Sequence, residues 1–260
     1  MLAPLLRYWT TGVLFITLCF AGPAQSQSVD HSAFDRVLST YVNDRGHVDY
    51  DALHAARDTT LDPYLKQLET VNLEPLSRDA RLALWMNAYN ALTLHLILEH
   101  NRPDTIWAIT PGDTPETTEG SPFELPVGVV ADTMRTLDEI EHGIIRERFN
   151  EPRIHFTLVC AAVSCPPLRQ EAYTGTRLEA QLEDQTRTFL TNPEKNAIPA
   201  TEDTIRVSRL FDWYQADFGP DAAAVQQYIA PYMDDSDVQT ALCEGTYTVD
   251  FMPYDWALND

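Results

Sequence analysis

Positive charge is scarce in this sequence. The 260 residues include 39 aspartates and glutamates against 18 lysines and arginines, and Lys66 and Lys195 are the only lysines. No basic cluster offsets the formal net charge of −21, so the phosphate backbone of a nucleic acid would be repelled. We therefore expect no nucleic-acid partner and no attraction to anionic membranes. The ligand class that remains is an unknown small molecule or peptide.

Long apolar runs are also missing, except at the N-terminus. Residues 9–21 are mostly apolar, Arg7 is the only charged side chain within residues 1–26, and Ala24 and Ser26 form a small-x-small cleavage pattern. This pattern predicts a secretory signal peptide, because the run is shorter than the roughly 20 residues that a membrane span needs. An uncleaved anchor is the alternative. We expect an exported protein, periplasmic or extracellular, with no stable membrane insertion after signal cleavage.

Cysteines are too few for a disulfide scaffold. Cys19 would leave with the signal peptide, so Cys160, Cys165 and Cys243 remain. An odd number leaves at least one thiol free or paired outside the chain. Three interpretations of Cys160 stay open: a nucleophile, the partner of Cys165 in a disulfide, or an inert buried thiol. Cys-x4-Cys without a second pair is a weak zinc signal, and we expect neither a metal nor another cofactor.

The hydrophobic pattern indicates many helices and few strands. We predict an α+β fold, a mostly helical single domain over residues 27–260 packed around a small β-sheet, with a cysteine-peptidase-like arrangement as one candidate. The predicted loop at 110–122 is a candidate lid or insertion, with an ordinary surface loop as the alternative. Helical spacing predicts helices at 30–42, 51–57, 62–70, 77–100, 136–149, 176–191, 208–218 and 221–230, and β-prone runs predict strands at 153–159, 204–207 and 246–251.

Two asparagines interrupt the most apolar predicted helix. Asn87 and Asn90 stand at i and i+3, on one face and on either side of Tyr89. Asparagine is unfavourable inside a helix, and an unpartnered buried amide costs roughly 1–3 kcal/mol. The two amides therefore either hold the backbone of a neighbouring loop or take part in catalysis.

Histidines and aromatic residues supply the other candidates. His142 follows Glu141 in a predicted helix and suits general-base chemistry, although a structural role is the common one for such a histidine; His155 carries the same two interpretations. Trp213, Tyr214 and Trp256 could form the wall of a ligand pocket, with core packing as the alternative.

Several separated motifs in order resemble the domain-of-unknown-function family 547. The motifs are His47-Val48-Asp49-Tyr50, the segments at 84–92, 136–143, 155–160 and 164–169, Phe211-Asp212-Trp213-Tyr214 with Asp217-Phe218, and Pro253-Tyr254-Asp255-Trp256. Bacterial members of this family are typically exported. In its plant branch the position of Cys165 is serine, which implies that Cys160 is the functional thiol. That branch also keeps the pair matching Glu141 and His142, but no histidine matching His155.

The first functional hypothesis is a thiol-dependent acyl-transfer enzyme, a hydrolase or transferase at an amide or thioester. Cys160 would be the nucleophile, His142 its general base, and Asn87 or Asn90 an orienting group. The alternative is a non-catalytic ligand-binding module. A third hypothesis is a thiol–disulfide redox protein, although Cys-x4-Cys lacks the Cys-x2-Cys spacing of thioredoxin-like sites. The predicted binding residues are Tyr89, Glu141, Cys165, Trp213 and Tyr214.

Overall fold

The computed structural model of the protein describes residues 28–110 and 120–260. The predicted signal peptide, with Cys19, and most of the predicted loop at 110–122 lie outside these residues. Within them the fold is α+β and mostly helical, as predicted. The α-helices are α1 (Ser32–Tyr41), α2 (Tyr50–Ala56), α3 (Leu61–Glu69), α4 (Arg78–Glu99), α5 (Glu147–Phe149), α6 (Leu178–Leu190), α7 (Leu210–Trp213), α8 (Gln215–Phe218), α9 (Ala222–Ile229) and α10 (Ser236–Glu244).

The remaining elements are short. Four strands, β1 (Gly128–Val130), β2 (Thr133–Arg135), β3 (Thr204–Val207) and β4 (Thr248–Phe251), occur in the described residues. Single 3-10 turns lie at Arg57–Thr59, Ile106–Ile109, Pro122–Glu124, Pro152–Phe156 and Ala230–Tyr232. A π-helix runs over Glu139–Arg146 and leads directly into α5.

Helix α4 is the centre of the larger hydrophobic cluster. Its N-cap is Ser77, as predicted, and the Ser77 hydroxyl accepts a hydrogen bond from the Ala80 N–H at 3.2 Å. Of its 22 residues, 17 are buried, so α4 is covered on every side rather than along one stripe. Helices α3 and α6 and the π-helix pack against it.

A second hydrophobic cluster lies under the C-terminal helices. Its aromatic centre is formed by Phe156, Phe189, Phe211 and Phe218, with ring centroids 4.6–5.8 Å apart. At these separations aromatic rings stabilise one another beyond the area they bury. Strands β3 and β4 and helices α9 and α10 complete this cluster.

The strands form two small sheets, where the sequence predicted one. β1 and β2 are antiparallel, with Val129 opposite Met134, and β3 and β4 are parallel, with Ile205 opposite Val249. The β1–β2 hairpin and α10 were missing from the prediction. No helix among the described residues has the length and apolar character needed to cross a membrane.

The predicted strand at 153–159 is wrong. Pro152–Phe156 is a 3-10 helix whose first turn contains the proline, and the Glu151 carboxylate accepts from the Arg153 N–H at 3.2 Å. A half-buried strand alternates buried and exposed residues, whereas Ile154, His155 and Phe156 are all buried. The turn is favoured because it puts consecutive side chains into the interior.

Two predicted helices take other forms. The segment at 136–149 contains the π-helix, a rare form that often occurs at functional sites. The predicted helix at 208–218 is broken at Tyr214 into α7 and α8. Both departures lie beside the cavity described next.

Candidate active site around the Cys160–Cys165 disulfide

One cavity gathers most of the residues singled out in the sequence. It has a volume of about 390 Å³, within the range of small-molecule sites. The π-helix contributes Glu141 and His142, and the loop after residue 159 contributes Cys160 and Cys165. The aromatic wall consists of Tyr89, Trp107, Phe123, Trp213, Tyr214, Tyr254 and Trp256.

A disulfide joins Cys160 to Cys165 across this loop, with the Cα atoms 6.3 Å apart. The disulfide interpretation of Cys160 therefore describes this structure, in which the thiol that the acyl-transfer hypothesis requires is bonded to Cys165. Cys165 is only 2% exposed and Cys160 is half-buried. Cys243 is a free, exposed cysteine, which accounts for the odd number of cysteines after residue 26.

The Cys165 sulfur lies in a concave cluster of hydrogen-bond donors. The backbone N–H groups of Cys160 and Ala162 point at Sγ of Cys165 at 3.1 and 3.4 Å. They converge because Ala161 between them is left-handed, with φ +62°. Paired N–H groups around a left-handed residue form a nest that attracts negative charge. The nest is therefore suited to a thiolate on Cys165.

The Tyr254 hydroxyl completes the surroundings of the two sulfurs. It lies 3.3 Å from Sγ of Cys160 and 3.3 Å from Sγ of Cys165. Burial raises the pKa of Tyr254, so the hydroxyl keeps its proton and can donate it to a hydrogen bond. Three donors therefore surround Cys165 Sγ.

The C-terminal segment holds the cysteine loop in this shape. The Val163 N–H donates to the Ala257 carbonyl at 2.7 Å, and the Asn259 N–H donates to the Ala161 carbonyl at 3.0 Å. The Lys195 ammonium also donates to the Val163 carbonyl. A left-handed non-glycine residue is costly, and these contacts fix it in place.

Glu141 is a buried carboxylate at the cavity, 9% exposed. The phenols of Tyr89 and Tyr214 lie near its negative charge. Burial, followed by the nearby negative charge of Glu141, raises the pKa of both tyrosines. Both phenols therefore stay protonated beside the carboxylate.

His142 presents a donor where a base was predicted. The Arg146 guanidinium donates to Nδ1 of His142 at 2.8 Å. Arginine has no acceptor, so Nδ1 carries the lone pair and Nε2 carries the proton. Nε2 faces Oδ1 of Asp138 at 3.6 Å. In this geometry Nδ1 is occupied by Arg146 and Nε2 faces Asp138, and the general-base role of His142 stays a prediction.

The network continues beyond His142. Arg146 binds Asp217 with two hydrogen bonds of 2.7 and 3.0 Å, and His155 Nε2 lies 2.7 Å from the same carboxylate. Burial alone would raise the pKa of Asp217, but the hydrogen bonds from Arg146 and His155 outweigh it and lower that pKa. Burial lowers the pKa of His155, which stacks on Tyr214 at 3.9 Å. Neutral His155 therefore orients the network.

Asn87 and Asn90 are both occupied by backbone. The Asn87 amide donates to the Tyr173 carbonyl at 2.8 Å and accepts from the Tyr173 N–H at 2.9 Å. The Asn90 amide donates to the Thr157 carbonyl at 2.9 Å and accepts from the Val159 N–H at 3.0 Å. Neither residue is among those that line the cavity. Both amides brace backbone in this geometry, and their catalytic role stays a prediction.

Arg146, Asp217 and Tyr254 were not among the predicted site residues. The sequence signal for two of them was membership of the Asp217-Phe218 and Pro253-Tyr254 motifs. Among residues 28–110 and 120–260, no group of three or more His, Cys, Asp or Glu side chains is placed to hold a metal ion.

Fold and site together define an α+β protein with a disulfide in the wall of an aromatic cavity. Residues 73–190 match the family model described as "Protein of unknown function, DUF547", which supports the resemblance of this part of the chain to that family. The matched residues include helix α4 with its two asparagines, the π-helix and the loop with Cys160 and Cys165. The C-terminal segment with Tyr254 lies outside them. Neither the curated proteins nor the solved structures contained a match. The cysteine-peptidase-like arrangement stays a prediction.

Proposed function

We propose that this protein carries out thiol–disulfide exchange with a thiol ligand bound in the aromatic cavity. The observation that supports this most directly is the nest around Cys165. Backbone N–H groups of Cys160 and Ala162 and the Tyr254 hydroxyl all point at the sulfur that would become a thiolate. Hydrogen bonds to a charged group contribute about 1.5–3 kcal/mol each, so Cys165 is a good leaving group.

In the proposed step, the thiolate of the ligand attacks Sγ of Cys160, the more exposed sulfur. A bond forms between the ligand sulfur and Cys160, the Cys160–Cys165 bond breaks, and its electron pair passes to Cys165. A second ligand thiol then attacks the ligand sulfur of the mixed disulfide and releases Cys160. The ligand thiols are oxidised to a disulfide, and the protein is reduced to a dithiol.

This reaction suits the other groups at the cavity better than acyl transfer does. Acyl transfer needs Cys160 as a free thiolate beside a base, and His142 offers a protonated Nε2 instead. The predicted export is also compatible with exchange, because disulfides persist in oxidising compartments and are rare in the cytosol. We therefore also propose that the protein is exported. A non-catalytic ligand-binding module is the outcome if the disulfide does not react.

The test measures reduction of the oxidised full chain carrying Cys243→Ser. The protein and oxidised glutathione are treated separately with dithiothreitol at pH 7, quenched by alkylation, and analysed by peptide mass spectrometry. We expect a linked Cys160–Cys165 peptide that is reduced at least about tenfold faster than oxidised glutathione, the factor that corresponds to about 1.4 kcal/mol.

The matched control distinguishes the two sulfurs. In the same background, Cys165→Ser should form a mixed disulfide at Cys160 when a small disulfide such as hydroxyethyl disulfide is added. Cys160→Ser should form one more slowly, because Cys165 is 2% exposed. Absence of the linked peptide, or reduction no faster than that of oxidised glutathione, would rule out the proposal.

A further inference from the structure

We infer that the ligand of this cavity carries a positively charged amine, so that the preferred thiol is an aminothiol. The inference rests on the proposed function for the thiol and on the charges and ring faces of the cavity for the amine. It specifies the class of ligand, which neither the family description nor the disulfide indicates.

The first support is the aromatic wall. Trp213 stacks on Trp256 with centroids 5.8 Å apart, and Tyr254 lies 4.5 Å from Trp256. Trp107 meets Trp256 edge-on at 5.3 Å. Faces of tryptophan and tyrosine attract cations within about 6 Å of the ring centroid. Trp213 is 44% exposed, so part of this wall is open to an incoming ligand.

The second support is the pair of carboxylates at the π-helix. Glu141 lines the cavity beside the protonated phenols of Tyr89 and Tyr214. Asp138 also lines the cavity, and its Oδ1 lies 3.6 Å from Nε2 of His142. Neither carboxylate forms an ion pair with lysine or arginine among the described residues, so both are available to an ammonium group.

The nearby arginines do not cancel this negative charge. Arg146 is held by Asp217. Arg209 lines the cavity, but it pairs with Asp212 at 3.3 Å and lies over the Phe251 ring at 5.8 Å. An anionic thiol would therefore meet uncompensated carboxylates and no unpaired cation among the described residues that line the cavity, whereas a cationic thiol meets complementary charge.

Three small thiols that differ in charge test this inference. The oxidised protein is reduced at pH 7 with cysteamine, 2-mercaptoethanol or 3-mercaptopropionate. The rate measured for each thiol is divided by the rate at which the same thiol reduces hydroxyethyl disulfide, which removes the difference in intrinsic reactivity. We expect the normalised rate of cysteamine to exceed that of 2-mercaptoethanol by about tenfold, and that of 3-mercaptopropionate to be lowest. Added salt should compress the series.

Matched variants locate the effect. Asp138→Asn should reduce the preference for cysteamine severalfold. The control is Asp132→Asn, which should leave the preference for cysteamine unchanged. Asp132 lies at an exposed turn between β1 and β2, and asparagine tolerates its left-handed backbone (φ +58°). Equal normalised rates for the three thiols, or 3-mercaptopropionate as the fastest, would overturn the inference.

A binding measurement separates this inference from the proposed reaction. Choline and its neutral isostere 3,3-dimethyl-1-butanol are titrated into the protein while tryptophan fluorescence is recorded. We expect choline to bind at least about tenfold more tightly. Choline binding without any thiol exchange would disprove the reaction and keep the amine site. Thiol exchange without a preference for choline would disprove the amine site and keep the reaction.

Discussion

The contact between Tyr254 and the two sulfurs yields the sharpest prediction. Tyr254→Phe removes one hydroxyl and keeps the ring that packs 4.5 Å from Trp256 and 4.7 Å from Trp213. In the disulfide state the lost contact is weak, because sulfur is a weak acceptor. In the reduced state the hydroxyl donates to the Cys165 thiolate, and such a hydrogen bond contributes about 1.5–3 kcal/mol.

The sign and size of the effect follow from this difference. The hydroxyl stabilises the reduced form, so its removal makes the reduction potential of the disulfide more negative. For a two-electron couple about 1.4 kcal/mol corresponds to about 30 mV. We therefore expect the potential of Tyr254→Phe to fall by about 30 to 60 mV.

The potential is measured by equilibrating the protein with mixtures of reduced and oxidised dithiothreitol at pH 7. The two redox forms are then trapped by alkylation and counted by mass spectrometry. Tyr228→Phe is the control, because the Tyr228 hydroxyl is buried without a hydrogen-bond partner among the described residues. A potential in Tyr254→Phe that equals that of the control, or lies above it, would refute the assigned role of the hydroxyl.

Two further predictions concern buried polar groups away from the disulfide. Asn90→Ala leaves the Thr157 carbonyl and the Val159 N–H without their partner, so urea unfolding should show a loss of about 2–4 kcal/mol; a loss below about 0.5 kcal/mol would contradict the bracing role. His31 is 5% exposed and hydrogen-bonds Tyr64 at 2.7 Å, and burial lowers its pKa to about 4. The unfolded chain binds this proton more readily, so stability is full above about pH 6.5 and falls by about 3 kcal/mol as the pH drops toward 4. His31→Asn should remove that part of the pH dependence in urea unfolding, and an unchanged slope would disprove it.

The helices were predictable where local chemistry decides them. Helix α4 begins at the predicted cap, Ser77, because a hydroxyl can satisfy an otherwise free N–H within one turn. The 3-10 helix at Pro152–Phe156 was not predictable by the same means, since the apolar residues of this segment fit either a strand or a buried turn. The choice between them depended on which interior surface those residues had to fill.

The residues of the site were predictable in kind and only partly in role. Glu141, Cys160 and the aromatic residues do line one cavity. The role assigned to His142 stays a prediction, because it depends on Arg146, whose guanidinium lies 2.8 Å from Nδ1 of the ring. No sequence pattern specifies which nitrogen of a histidine a neighbour will occupy.

The sequence alone determined the acidity, the number of cysteines, the helical composition and the motifs that resemble the family, since these depend on residue types and short spacings. Only the tertiary structure decided that Cys160 pairs with Cys165, that the nest forms at Ala161, and that the Tyr254 hydroxyl meets both sulfurs. Tyr254 lies 94 residues from Cys160 in the chain. A contact over that separation depends on how the whole chain packs.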